Sequence, residues 1–404
     1  SVSQRAAMSQ PTFYQPYIST AVTVDSRLNT LQGIKKNDFS GITNSYLATG
    51  TTGDAIAPPG YGALYIGAID GATSSTGSGS GTWYNFSVPS TWNPRETSAY
   101  GPDILTRGNG PSGIGDVALA GTWINSTGTL LGWYYKGSLS ALNGDTAGSV
   151  STGFQSFQAT TENHSLARYT YLHSVDGAFV VGNYSTRGGL VGLLFNVGQG
   201  SGSYIYNPLT QAQVNIKYPD SAKYHSTFGI WANDDNTYTI SGGASYNQRS
   251  SRNSRMESSI ATVAKAMPDA ALGRGMFADV DPITGIASNL HYYNYNNASS
   301  RYTNVLTHFQ GIYYMGSDVY QAPFVAIDAS GSIYAGNAYV HRLSNGQFSE
   351  NAIWQTFEAN SSGEKAIFST SVAGNADTGV FSDFSPFASY GDNQSYFLAA
   401  QNLK

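Results

Sequence analysis

The sequence predicts an all-β fold, a β-propeller of about six blades, and three observations carry that expectation. A small residue followed by an apolar or aromatic run recurs six times, as Gly62-Ala63-Leu64-Tyr65, Gly132-Trp133-Tyr134-Tyr135, Gly192-Leu193-Leu194-Phe195, Gly275-Met276-Phe277-Ala278, Ala322-Pro323-Phe324-Val325 and Gly379-Val380-Phe381-Ser382. The copies start 70, 60, 83, 47 and 57 residues apart, and a unit repeated at such spacing buries its apolar face only against its neighbours. Three glycines, Gly121, Gly182 and Gly242, keep the same period at intervals of 61 and 60 residues. Charged residues are 11% of the 404, against 46 Gly and 29 Tyr, which favours short strands and tight turns over charge-laced helices.

Residues 1–20 lack a turn-strand pattern and contain Phe13, Tyr14 and Tyr17, so they are expected to form an N-terminal arm. Residues 21–404 are expected to be one propeller domain. Ala21 to Val24 and Ser45 to Ala48 read as its first strands. Asp116 to Trp123, a turn at Asn125 to Gly128 and Leu130 to Tyr135 form a hairpin. The clearest hairpin has a turn at Asp176-Gly177, a strand from Ala178 to Tyr184, a second turn at Thr186 to Gly189 and a returning strand from Leu190 to Asn196. A third starts at Asp234-Asp235-Asn236, with a strand from Thr237 to Ile240 and then Gly242-Gly243.

Further apolar stretches such as Gly81 to Phe86 and Gly202 to Pro208 bring the count to three or four strands per period of about 60 residues, the content of a propeller blade. A β-solenoid needs shorter repeats with capped ends, and a sandwich rarely repeats one hairpin six times. The 83-residue interval predicts an insertion at about 247–270. There Ile260, Val263, Ala264 and Met267 follow helical spacing and Pro268 stops the run, giving one short inserted helix. Pairing of Ser395 to Ala399 with the N-terminal strands would close the ring and remove its exposed edges.

The segment His173 to Asn196, with Asp-Gly-x-x-Val-Val-Gly-x-Tyr-Ser followed by Gly-Leu-Leu-Phe, resembles the modules of HAF-type extracellular repeat proteins, a bacterial group of predicted propellers. The other copies are degenerate, and Gly-Leu-Leu-Phe or Gly-Trp-Tyr-Tyr stand where that family has His-Ala-Phe. The resemblance implies an exported repeat protein with no settled biochemical activity.

A net charge of -5 supplies no basic field for nucleic acid. The absence of Cys removes disulfides, thiolate metal sites and Cys nucleophiles. No stretch is apolar for the roughly 18 to 20 residues a membrane helix needs. Low charge, Ser/Thr/Asn/Gly/Tyr richness and a start at Ser1 favour export to the extracellular space or cell surface. His164, His173, His225, His291, His308 and His341 show no metal-ligand spacing, so no metal and no cofactor are expected. Asp279 with Asp281, and Asp234 with Asp235, read as turn residues first and Ca²⁺ ligands second, since a calcium loop supplies more oxygen ligands in register.

Arg249, Arg252 and Arg255 lie within seven residues and suit a carboxylated or sulfated polysaccharide, because guanidinium groups pair bidentately with such anions; a solvated loop is the simpler reading of the same triplet. Trp133 and Tyr292, in the clusters 133–135 and 292–295, are the aromatic candidates for stacking on sugar rings, against a core-packing role for most of these rings. His225 beside Tyr224, and His291 beside Tyr292, are the pairs in which a base and a Tyr acid could serve a lyase.

With no interpretable catalytic set, the reading favoured by sequence is a non-catalytic binding or structural module. Its expected partners are polysaccharide or other copies of the chain, met through the N-terminal arm. The alternative is a carbohydrate-active enzyme, a polysaccharide lyase or glycoside hydrolase, with its site at one mouth of the propeller.

Overall fold

A computed structural model describes residues 14–18, 29–43, 45–52, 59–68, 81–186, 201–220, 224–245, 273–298, 304–328, 330–356, 366–368, 387–390 and 395–400. Strand β1 (Tyr14–Ile18) precedes a first sheet of β2 (Asn29–Lys36), β3 (Tyr46–Thr52), β4 (Tyr61–Gly67) and β5 (Thr82–Phe86). The second comprises β6 (Glu96–Ala99) and β7 (Asp103–Ile104), both paired with β8 (Asp116–Ile124), then β9 (Leu130–Ser138) and β10 (Phe154–Phe157). The third is β11 (Tyr169–Asp176), β12 (Phe179–Ser185), β13 (Gly202–Asn207) and β14 (Ala212–Asn215). Two parallel pairs, Tyr169 opposite Leu130 and Gly101 opposite Ser174, join the second and third sheets.

The fourth sheet is β15 (Tyr224–Ala232), β16 (Tyr238–Ser245), β17 (Arg274–Val280) and β18 (Ala287–Tyr293). In the fifth, β19 (Asn304–Phe309) and β20 (Tyr313–Gly316) pair with β21 (Val319–Asp328), followed by β22 (Ile333–His341) and β23 (Ile353–Thr356). The sixth consists of β24 (Ala366–Phe368), β25 (Phe387–Tyr390) and β26 (Ser395–Ala400), with β1 as its outer strand. The chain is therefore all-β, built from successive antiparallel meanders. Among the described residues the one α-helix is α1 (Leu139–Leu142), and no helix is long and apolar enough to cross a membrane. The expected insertion at 247–270, with its helix, lies outside the described residues.

Two elements differ from the sequence expectation. Part of the segment read as an arm is β1, which pairs antiparallel with β26 from Tyr14 opposite Ala400 to Ile18 opposite Tyr396. The pairing of the chain ends thus uses 14–18, while Ser45 to Ala48 leads into β3 of the first sheet. The six copies are also not equivalent. Those at 62, 132 and 275 lie in the third strands β4, β9 and β17, whereas Ala322 to Val325 lies in the second strand β21. This explains the short 47-residue interval: the motif marks any strand buried on both faces, and here it moved forward by one strand. The copies at 192 and 379 lie outside the described residues.

The periodic glycines have a geometric cause. Gly182 and Gly242 sit in second strands opposite β-bulges at Leu172/Ser174 and Thr227/Gly229, and the bulge presses the first strand against them. A Cβ on Gly242 would lie 2.0 Å from the Ser226 carbonyl oxygen, and one on Gly121 1.9 Å from that of Ser98. Gly242→Ala is expected to destabilise the fold by about 3 kcal/mol, the cost of overpacking against backbone. Urea denaturation beside Gly110→Ala, whose Cβ would meet nothing within 4 Å, checks this.

The core lies between successive sheets. Leu47, Leu64, Phe86, Leu119 and Trp133 fill the first interface, Val180, Tyr184 and Tyr204 the second, Val181, Ile205, Ile240 and Met276 the third, and Phe277, Phe309, Phe324 and Trp354 the fourth. Asp279, read from sequence as a turn residue, lies inside β17 and belongs to a staple between the fourth and fifth sheets. Arg342 grips it bidentately at 2.8 and 2.7 Å and stacks on Phe348 at 4.5 Å.

Candidate active site

The first strands of sheets one to five stand side by side. A Cβ on Gly33 would meet Gly101 Cα at 2.6 Å, and one on Gly229 the Gly311 carbonyl carbon at 2.8 Å. Gly101 donates to the His173 carbonyl and accepts from Val175, and Ser174 Oγ donates to the Phe228 carbonyl at 2.7 Å. Small residues at these positions let five backbones approach one another, so the side chains just beyond them converge.

At the end of these strands that leads into their turns, Lys35 from β2, Asp103 from β7, Asp176 from β11, Trp231 from β15 and Tyr313 from β20 meet. Lys35 Nζ lies 3.3 Å from Asp176 Oδ1, 3.7 Å from Asp103 Oδ1 and 4.6 Å from the Trp231 ring centre. The second oxygens of the carboxylates hold backbone. Asp103 Oδ2 accepts from Gly177 N–H at 3.0 Å, and Asp176 Oδ2 from Ala232 N–H at 2.6 Å. The second sheet is thereby tied to the third, and the third to the fourth, by a carboxylate. Both residues are nearly enclosed, Asp103 at 7% and Asp176 at 8% exposure.

Burial pushes the Asp103 carboxyl above its usual range, with the charge of Lys35 opposing and that of Asp176 adding to the rise. Burial alone would depress the Lys35 ammonium, but Asp176 and then Asp103 outweigh it and raise its pKa. A hollow of about 30 Å³ adjoins Lys35, Ser174, Trp231 and Tyr313, room for about one water molecule. Sequence reasoning missed Lys35 and Asp103 and placed Asp176 in a turn. Gly177, with φ of 59°, does supply the turn, and Asp176 serves the cluster as well.

Inward from this cluster the strands close on aromatic and imidazole rings. His173 stacks on Phe228 at 4.2 Å, and Phe228 meets His308 edge-on at 4.5 Å. Ser226 Oγ and His308 Nε2 share a hydrogen bond at 2.6 Å, and Gln310 Nε2 donates to His308 Nδ1 at 2.8 Å. The pair has the connectivity of a nucleophile and base, but a base must accept from the serine. With Nδ1 accepting from Gln310, Nε2 carries the hydrogen and donates to Ser226. Ser226 is 1% and His308 0% exposed, so this pair is part of the packing.

Arg249, Arg252 and Arg255 lie outside the described residues. Trp133 is fully buried, and its indole N–H is shared between the carbonyls of Ser98 and Thr122, each at 3.0 Å. It is a core residue and cannot stack on a ligand, which corrects the sequence expectation. Tyr292 is half-buried in β18, and its hydroxyl meets His225 Nε2 at 2.7 Å. The structure thus joins one His and one Tyr of the proposed lyase pairs, but His225 partners Tyr292 instead of the adjacent Tyr224. His225 also stacks on Tyr218 at 3.8 Å. His291 instead contacts the Glu350 carbonyl through Nε2 at 2.9 Å. Among the described residues no group of three His, Asp or Glu is placed to hold a metal ion.

No protein-family profile matches the chain, and no curated protein matches it in sequence. Solved structures resemble it in fold. The GH43_1 enzyme from Xanthomonas citri complexed with xylotriose shares 11% identity over 88% of this chain and 97% of its own, with a TM-score of 0.39. The alpha-L-arabinofuranosidase from Lactobacillus brevis shares 8% over 85% and 98%, with 0.40. MPT-4, a mannose phosphorylase from Leishmania mexicana, shares 8% over 83% and 90%, with 0.38. By their names these three proteins are sugar-processing enzymes, the class that stood as the alternative in the sequence, and the expectation of a non-catalytic module is set aside.

Proposed function

We propose that the chain is a carbohydrate-active enzyme of the glycoside hydrolase type, exported to the extracellular space or cell surface. Its scaffold is a six-bladed β-propeller closed by the pairing of β1 with β26, with the reacting groups at the mouth where five first strands converge. The observation that carries this reading is the carboxyl pair Asp103 and Asp176, both against Lys35. Both Oδ1 atoms contact the same nitrogen, so they stand no more than about 7 Å apart, a limit that admits the roughly 5 to 5.5 Å of a retaining pair and little of the wider range of inverting ones.

Their environments divide the work. Burial holds Asp103 toward the protonated form, suited to giving a proton to the leaving oxygen. Asp176 is held in place by the Lys35 ammonium and the Ala232 N–H, which positions it as the base or nucleophile. Trp231 offers a ring at the mouth, and the one-water hollow beside it suits a hydrolytic step.

Hydrolysis of a panel of plant and microbial polysaccharides, followed by release of reducing ends, tests the proposal. Asp103→Asn and Asp176→Asn are each expected to lower turnover at least about 100-fold, the scale of a lost general acid or base, with circular dichroism reporting an intact fold. Turnover unchanged in both variants would remove this pair from the mechanism.

A further inference from the structure

We propose that the groove between the first two sheets binds an acidic oligosaccharide, a glycan segment carrying uronic acid carboxylates, with Arg107 as the carboxylate partner. The groove holds about 920 Å³ between Gly41, Ile42, Thr43 and Ser45 with the ends of β4 and β5 on one side, and the loop 107–113 with Asn143 on the other. It opens on the same face as the ends of β2 and β11, since all these loops join strands at that end. Its walls are tied together. Ser112 O accepts from Asn37 Nδ2 at 3.1 Å and from Ser45 Oγ at 3.0 Å, and an Arg107 guanidinium N–H donates to Ser40 O at 2.8 Å.

Three features choose the ligand. The lining is mostly Gly, Ser, Thr and Asn with one aromatic ring, Tyr84, which suits a polyhydroxylated chain better than a hydrocarbon. Among the described residues Arg107 is the one charged residue in the lining. It is exposed, and among the described residues no acidic group takes the remaining donors of its planar fork, which matches a carboxylate. Asn143 Oδ1 is buried without a hydrogen-bond partner; such an acceptor is unfavourable until something donates to it, and a sugar hydroxyl would. This inference deepens the glycan-processing reading and rests on it for the ligand class.

Calorimetry on the full chain carrying Asp103→Asn, so that ligands persist, provides the test. The probes are hexamers of galacturonate, glucuronate and mannuronate, their methyl esters, and xylohexaose. At least one acidic hexamer is expected to bind at least 10-fold more tightly than its methyl ester, and less tightly as NaCl is raised. Arg107→Gln should weaken that acidic hexamer about 10-fold and leave xylohexaose unchanged, whereas Asn143→Leu should weaken both.

Equal binding of acid and ester, no binding of any acidic hexamer, or no effect of Arg107→Gln overturns the proposal. The readout needs no turnover. Hydrolysis of neutral glycans without uronate binding would overturn the groove assignment alone, and uronate binding without hydrolysis of any glycan would overturn the acid pair alone.

Discussion

Between pH 7.5 and pH 5 the protein is expected to lose about 4 kcal/mol of stability, through His173 and His308. Burial depresses both imidazoles to a pKa of about 3, with the charge of His173 adding to the effect at His308. His173 Nε2 is buried without a hydrogen-bond partner, and the ring is stacked against Phe228 and Tyr171, so a proton there has nothing to pair with. In the unfolded chain both imidazoles titrate near 6.5. Below that pH the unfolded state binds two protons that the folded state refuses, and stability falls as pH drops from about 6.5 toward 3. Each residue contributes a little over 1 kcal/mol per pH unit, about 3 kcal/mol per unit for the two.

Asp103 works in the opposite sense. Its raised folded pKa means that the folded state takes up its proton first on acidification, which recovers part of the loss at the low end of the range. Urea denaturation at pH 7.5, 6 and 5 measures the slope. His173→Phe, which keeps a ring in the stack and removes one titrating group, is expected to halve it. A stability that is flat over this range would show that neither imidazole is held neutral.

The parts of this molecule that were legible in the sequence are those decided within one hairpin. The all-β class, the hairpin from β8 to β9 and the turn at Asp176-Gly177 follow from turn residues and alternation. The 60-residue glycine period follows from one bulge geometry repeated in successive sheets. The candidate site was not legible because its members come from different sheets: Lys35 and Asp176 are 141 residues apart. No local pattern distinguishes such a Lys or Asp from an ordinary strand-end charge.

The same holds for Arg342 and Asp279, 63 residues apart, where a residue typical of turns is a buried ion-pair partner. Trp133 misled for the converse reason. Aromatic clusters look alike in sequence whether they face a ligand or the next sheet, and in stacked sheets most positions of a middle strand are covered on both faces.

Lys35→Met is expected to cost about 3 to 5 kcal/mol at pH 7.5, because it leaves two nearly enclosed carboxylates without their shared cation. Methionine keeps most of the aliphatic stem, so packing changes little, and the lost cation-π contact with Trp231 is the smaller part. The pH dependence separates charge from packing. With the ammonium removed, burial and the charge of Asp176 leave Asp103 easier to protonate, and acidification relieves the variant by neutralising it. The gap between Lys35→Met and the native chain should therefore narrow from pH 7.5 to pH 5, while both lose the histidine contribution in parallel. In an Asp103→Asn, Asp176→Asn background the same substitution should cost less than half as much, the coupling that a double-mutant cycle reads. A gap that is constant with pH and unchanged in that background would show that Lys35 acts through packing alone, and that the two carboxyls are held by their backbone contacts to Gly177 and Ala232.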